Sequence, residues 1–190
     1  MLSAVVGAAV LVLAVLSVPL PAGFDLGRVA FWVLLTLIAA FVPVRLPGGV
    51  LANLSTAPLI AALFDTSLAN PLAVCWIAFI GTFELRDFKR QIPWFGGLFN
   101  RSNFVLSTFG GWVALQVTKP WVKTDDPWGT FAQILIVGFA FVVLNNFLSV
   151  LAASVRTKTP FAKVWALSVR NVAVGLLSQI PMGWLMAQIA

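Results

Sequence analysis

The chain has 190 residues, 61% of them hydrophobic and 9% charged, with a mean hydropathy of +1.00. A soluble domain is about 45–50% apolar and about 25% charged, and a globule of this length has too little interior to hide so much apolar surface; a soluble protein, a disordered chain and a secreted disulfide scaffold are excluded. The net charge of +6 sits at the ends of apolar runs, a distribution that points to membrane topology and away from nucleic acid.

In chain order the apolar stretches are 2–18, 29–44, 50–64, 68–85, 99–118, 130–155 and 169–189. A helix needs about 20 residues to cross roughly 30 Å of hydrocarbon. These stretches predict an all-α, polytopic transmembrane bundle of about seven spans, with six to eight as the range. The first stretch has no basic residues ahead of it and no small-residue cleavage site before Pro19, so it is read as a retained span. The third, 50–64, is the weakest, because Asn53, Ser55, Thr56 and Pro58 interrupt it. It is expected to be a short or broken span, tolerated when other helices cover it. Pro and Gly separate the runs: Pro19, Pro21 and Gly23, then Pro43, Pro47, Gly48 and Gly49, then Pro71, Pro93, Pro120, Pro127 and Pro160. Residues 1–190 read as a single integral membrane domain, expected to be the N-terminal part of a longer protein.

Charge orients the set. Loops after the second, fourth and sixth spans carry nine basic residues: Arg45, Arg86, Lys89, Arg90, Arg101, Arg156, Lys158, Lys163 and Arg170. The loops after the other spans carry three, Arg28, Lys119 and Lys123, and most of the carboxylates. The positive-inside rule then predicts a multi-pass protein of the plasma (inner) membrane with a cytoplasmic N-terminus. Trp94, Trp121, Trp128 and Trp165 lie in or beside loops, where an indole suits the headgroup level or packs on loop backbone.

The reactive inventory is sparse. There is no His, no Tyr and a single Cys, Cys75, and the carboxylates are Asp25, Asp65, Glu84, Asp87, Asp125 and Asp126. Neither a Cys/His zinc site nor a Ser–His–Asp or Cys–His nucleophile can be assembled. No enzyme activity, metal or cofactor is expected of these residues.

Polar side chains inside spans are costly unless they face other helices or a cavity. Asn100, Asn103 and Ser107 share a face of the fifth stretch, Asn145, Asn146 and Ser149 lie in the sixth, and Asn171, Ser178 and Gln179 in the seventh. Asn53 stands at the start of the third. Two readings stay open: helix–helix packing through small and amide residues, or a pocket for a small neutral or aromatic ligand. The linker Glu84-Leu85-Arg86-Asp87-Phe88-Lys89-Arg90 is expected to extend the fourth helix, with Arg90 and Asp87 paired at i,i+3. Arg86, Asp87, Lys89 and Arg90 are then either a cap facing anionic lipid or a docking surface for a cytoplasmic effector domain.

The run Phe41-Val42-Pro43-Val44-Arg45-Leu46-Pro47-Gly48-Gly49, the Pro93-Trp94 loop, and Phe99-Asn100-Arg101-Ser102-Asn103-Phe104-Val105-Leu106-Ser107 carry a resemblance. Together they are similar to the membrane region N-terminal to bacterial HD-GYP phosphodiesterases and GGDEF diguanylate cyclases, which shows a PVRLP-G-G turn and an FN-x-x-Q-x-x-x-S helix start. Asn103 stands where Gln is usual. The resemblance covers about residues 40–110 and implies a sensory or anchoring module that regulates a cyclic-dinucleotide enzyme, whose catalytic part is not within these residues. A more distant likeness links the chain to the substrate-binding S-components of energy-coupling-factor vitamin transporters. The expected function is therefore a membrane-embedded sensor domain that binds a small ligand or senses the bilayer, with a small-solute transporter or S-component-like subunit as the alternative. The expected partners are the bilayer, the ligand and an effector domain, with a homodimer also open and no nucleic acid.

Overall fold

The computed structural model describes residues 2–16, 25–42, 44–45, 51–52, 54–68, 70–89, 91, 93–122 and 127–189. The described residues form α1 (Leu2–Leu16), α2 (Leu26–Phe41), α3 (Thr56–Phe64), α4 (Pro71–Gly81), α5 (Leu85–Phe88), α6 (Trp94–Thr118), α7 (Pro127–Thr157) and α8 (Phe161–Ile189). A 3-10 turn, Thr66–Leu68, joins α3 to α4. Two short strands, β1 (Val44–Arg45) and β2 (Leu51–Ala52), pair antiparallel, with Val44 opposite Ala52 and Arg45 opposite Leu51. The turn expected at Pro47, Gly48 and Gly49 lies outside the described residues. Apart from this two-stranded pairing the described residues are helical, in keeping with the all-α class expected.

Local chemistry sets the helix starts. Asp25 caps α2, its Oδ1 accepting from the Gly27 and Arg28 N–H groups at 2.9 and 3.1 Å. Asn70 caps α4 by accepting from Leu72 N at 2.9 Å, with Pro71 in the first turn. Both follow the usual N-cap rule, in which a side-chain oxygen satisfies an orphan N–H.

The third apolar stretch folds as the short, covered helix expected of it, and the fourth falls short of a full span. Helix α3 has nine residues and α4 eleven, so their lengths are about 14 and 16 Å, roughly half the hydrocarbon thickness. Ser55 and the residues before it do not join α3, and α4 stops at Gly81, where the Thr82 hydroxyl donates back to Ala78 O at 2.7 Å. The predicted helical extension through 84–90 is replaced by the separate turn α5. Conversely, α6 and α8 begin earlier than the apolar runs, at Trp94 and Phe161, because propensity and packing carry a helix past its apolar limits. Among the described residues one segment, Trp128–Thr157 of α7, is both long and apolar enough to cross a bilayer, with 30 residues and a mean hydropathy of 2.4 over its most apolar 18.

Helix α3 is the centre of the molecule. Ala57 through Leu63 are all buried, and a helix that is apolar all round must be covered on every side. It packs against α2, α4, α6, α7 and α8. Around it lies a cluster that includes Trp32, Leu59, Ile77, Val105, Val137 and Phe141, with a smaller one of Ile60, Ile134 and Ile180 beside α8. Small residues allow the closest approaches: a Cβ on Gly81 of α4 would lie 2.7 Å from the Thr36 Cβ of α2. The outer surface is apolar as well. Leu11, Leu34, Ile38, Val117, Phe139 and Leu185 are exposed on α1, α2, α6, α7 and α8. Exposed apolar area on this many faces exceeds what an aqueous monomer shows.

Candidate functional site

The richest polar arrangement forms where α3 turns into α4. Asp65 ends α3 and its side chain is 3% exposed. Its Oδ2 accepts from Trp32 Nε1 at 2.7 Å and faces Arg28 at 3.7 Å, while Oδ1 accepts from the Ser67 N–H at 2.9 Å and the Ser67 hydroxyl at 2.5 Å. Burial pushes this carboxyl's pKa up, but the hydrogen bonds from Ser67 and Trp32 and the Arg28 charge outweigh it and hold the group below its ordinary value. Asp65 is thus an ionised clamp that fastens α2 to the α3–α4 turn. With both oxygens engaged it has no proton to deliver and no free edge for nucleophilic or metal chemistry.

Next to the clamp lies a cavity of about 400 Å³. Its walls come from the α3 end and the following turn (Leu63, Phe64, Asp65, Thr66, Leu68), from α4 (Val74), from α6 (Trp112, Leu115, Gln116) and from Lys119, which follows it, and from α7 and α8 (Thr130, Gln133, Ala187). Gln133 is buried and donates from Nε2 to Thr118 Oγ1 at 3.3 Å, which ties the α7 start to the α6 end. The Lys119 side chain is exposed at the rim. Aromatic and aliphatic walls with a few amides are the usual composition of a small-molecule site, at a volume within the usual range of about 300–1,000 Å³.

The amide residues singled out from the sequence lie elsewhere. Asn103 of α6 donates from Nδ2 to Asn145 O at 3.1 Å and to Ser149 Oγ at 3.0 Å on α7, and Ser107 donates to Asn103 O at 2.8 Å. Asn146 accepts from the Ser168 hydroxyl of α8 at 2.5 Å. Asn103, Asn145, Asn146 and Ser149, with Ser168, therefore lace α6, α7 and α8 together, while Ser107 bonds back within α6. None of them lines the cavity beside Asp65. The side-chain Nδ2 of Asn145 and the Oε1 of Gln179 are buried without a partner among the described residues. Asn100 is half-buried and, with Ser149, borders a second hollow at the other end of α6. Asn53 lies outside the described residues, as do the side chains of Asn171 and Ser178.

The charged linker is also engaged internally. Asp87 Oδ2 accepts from Glu84 N at 2.9 Å, which starts α5, and its Oδ1 lies 4.0 Å from Arg101 of α6. The Arg101 guanidinium lies 3.7 Å from the centroid of the Phe83 ring and donates from Nε to Gly97 O at 3.1 Å. Asp87 thus faces Arg101; Arg90, its expected partner, lies outside the described residues. Arg86 pairs with Glu84 at 2.5 Å, and Lys89 is exposed. Trp94, Trp121 and Trp128 are exposed at helix ends, whereas Trp165 is one turn inside α8, stacked on Phe161.

Sequence reasoning passed over Asp65, Trp32, Arg101 and the cavity. A signal for Asp65 was present: an Asp directly after an apolar run with Ser two residues on has the spacing of a side-chain-closed turn. No pattern in the sequence announced Trp32, because its partner is 33 residues away. No curated protein and no solved structure matches the chain. Residues 5–189 do match the family of membrane-associated sensor domains named MASE9, and the chain belongs to that family.

Proposed function

We propose that this chain is a multi-pass sensory domain, N-terminus in the cytoplasm, that takes a small neutral or aromatic ligand into the cavity beside Asp65. The observation that carries the reading is the composition of that cavity's wall: residues of α3, α4, α6, α7 and α8 meet there, so an occupant touches most of the bundle at once. Trp112 and Phe64 offer aromatic faces, and Gln116 and Gln133 offer amides that suit a ligand's hydroxyl or carbonyl groups. Such an occupant biases whichever packing of α6 and α7 fits it better, and a signal exists only to the extent that the two packings bind it differently. The output is a cytoplasmic signalling domain of the HD-GYP or GGDEF kind, and the bundle itself catalyses nothing. The cationic loops, including Arg86 and Lys89, face that domain.

The test is a thermal-shift screen of the purified protein in detergent with vitamins, nucleosides and quinones, followed by Trp112→Ala and Gln133→Leu. The reading requires a stabilising compound whose effect both substitutions remove. A compound whose effect survives both sits elsewhere and refutes the assignment of the cavity. Net accumulation of the compound in proteoliposomes marks a carrier and overturns the sensor.

A further inference from the structure

At the other end of α6, about 24 Å of helix rise from Leu115 to Phe99, α6 and the last turns of α7 enclose a groove of about 750 Å³. Phe95 and Phe99 form one wall and Ala152 and Ala153 the other, with Asn100 and Arg156 as polar groups. The alanines matter because their short side chains leave the hollow open.

Arg156 is the unusual member. Arg28, Arg86 and Arg101 each have a carboxylate within 4.0 Å. Arg156 is exposed in the last turn of α7 and has no carboxylate within that distance among the described residues. Lys158 and Lys163 follow it, both exposed and likewise without a carboxylate. The hydroxyl of Thr157 is committed to Ala153 O at 2.8 Å. Ser149 Oγ accepts from Asn103 Nδ2 at 3.0 Å. An apolar trough thus ends at an uncompensated guanidinium, flanked by two further cations.

We infer that this groove holds an acyl chain of an anionic phospholipid, with the phosphate on Arg156. Charge and shape select this occupant together. A soluble anion satisfies Arg156 but leaves Phe95, Phe99 and the alanines uncovered. A zwitterionic lipid covers the wall but brings an ammonium group towards three cations. An anionic phospholipid satisfies both halves, and its attraction adds to that of basic residues near a negatively charged leaflet. The site shares no lining residue with the cavity beside Asp65, and the inference does not rest on which ligand that cavity takes.

The experiment is lipid retention by the whole chain. The protein is extracted from nanodiscs of phosphatidylcholine with or without phosphatidylglycerol, and the retained lipids are counted by native mass spectrometry. Wild type is expected to retain phosphatidylglycerol in preference to phosphatidylcholine. Arg156→Gln should reduce that preference about fivefold, the factor that one interfacial cation supplies, and Arg156→Lys should restore most of it. Ala153→Leu should fill the groove and lower retention of both lipids. Equal retention of the two headgroups by wild type overturns the inference. So does a loss from Lys158→Gln as large as that from Arg156→Gln, which marks diffuse surface charge, and so does displacement of the lipid by glycerol phosphate, which lacks an acyl chain.

Discussion

Asp65→Asn tests the clamp with almost no change of shape. The carboxylate serves three hydrogen-bond donors and a guanidinium: Trp32 Nε1 and Arg28 on one oxygen, the Ser67 N–H and hydroxyl on the other. An amide has one oxygen and one donor group. If its oxygen faces Ser67, its NH2 meets the Trp32 indole N–H; if it turns over, Ser67 loses its acceptor. Either way a donor is stranded, at a cost of about 1–3 kcal/mol where it is the buried Trp32 indole, and the charge assistance from Arg28 is lost. We expect Asp65→Asn to destabilise by about 1–3 kcal/mol and Asp65→Ala by more, because Trp32 and Ser67 both lose their acceptor while Arg28, 38% exposed, stays solvated. Trp32→Phe removes the stranded donor, so the double variant should cost less than the two singles added, with a coupling of about 1–2 kcal/mol. Equilibrium unfolding in mixed micelles, followed by circular dichroism, reads all of these. Loss of less than about 0.5 kcal/mol in Asp65→Asn, or strict additivity with Trp32→Phe, would refute the clamp. The pH dependence is a second readout. Asp65 titrates below its ordinary 3.8 in the folded chain, so its contribution is present at neutral pH, begins to fall as pH drops towards 3.8, and is lost through the folded value. Asp65→Asn should flatten that acid limb.

Three other substitutions have defined outcomes. Asn103→Leu removes the bonds to Asn145 and Ser149 and should lower stability by about 0.6–2 kcal/mol, the range for interhelical bonds in bilayers; a gain in the same unfolding assay contradicts the packing role. Lys158 sits at φ 54°, with Thr159 N bonded to Ser154 O at 3.2 Å in the helix-ending turn between α7 and α8. Lys158→Gly should therefore stabilise by about 1 kcal/mol, and thermal unfolding at matched detergent measures it. Gly97→Ala places a Cβ 2.4 Å from Asp87 Oδ1, so it should push Asp87 from Arg101 and cost about 1–3 kcal/mol, while protease sensitivity of the α5 linker rises.

What the sequence made legible was the medium and the class. Apolar periodicity and uncompensated loop cations predict a helical membrane domain, and the family match and the apolar outer faces of α2 and α7 agree with it. As a member of a membrane-associated sensor family the chain sits at a membrane. Length was less legible. The interruptions at Ser55, Thr56 and Pro58 mark 50–64 as a short or broken span, and α3 is one; stretch 68–85 looks like a full span because hydropathy counts residues without asking where the chain turns, whereas α4 covers Pro71–Gly81 alone. The amide stripe at Asn100, Asn103 and Ser107 was visible by spacing, but spacing could not divide packing from pocket. That division came from partners: Asn103 is spent on α7, and Asn100 borders the groove. The cavity was illegible because its wall gathers residues as far apart as Leu63 and Ala187.

Helix α6 runs from the cavity to the groove. It packs against α1, α3, α4 and α7. Its last turns provide Trp112, Leu115 and Gln116 to the cavity, and its first turns provide Phe95, Phe99 and Asn100 to the groove and Arg101 to Asp87. Between those ends α6 is joined to α7 by the polar bonds of Asn103, and its buried Val105 and Gly111 leave little room for slack. A close-packed helix of this kind moves as a rod, because its neighbours accept discrete rearrangements and not continuous bending. Under the proposed sensory reading, an occupant that prefers one setting of α6 in the cavity shifts the contacts of Arg101 at the other end of the helix, and such a coupling acts equally in both directions.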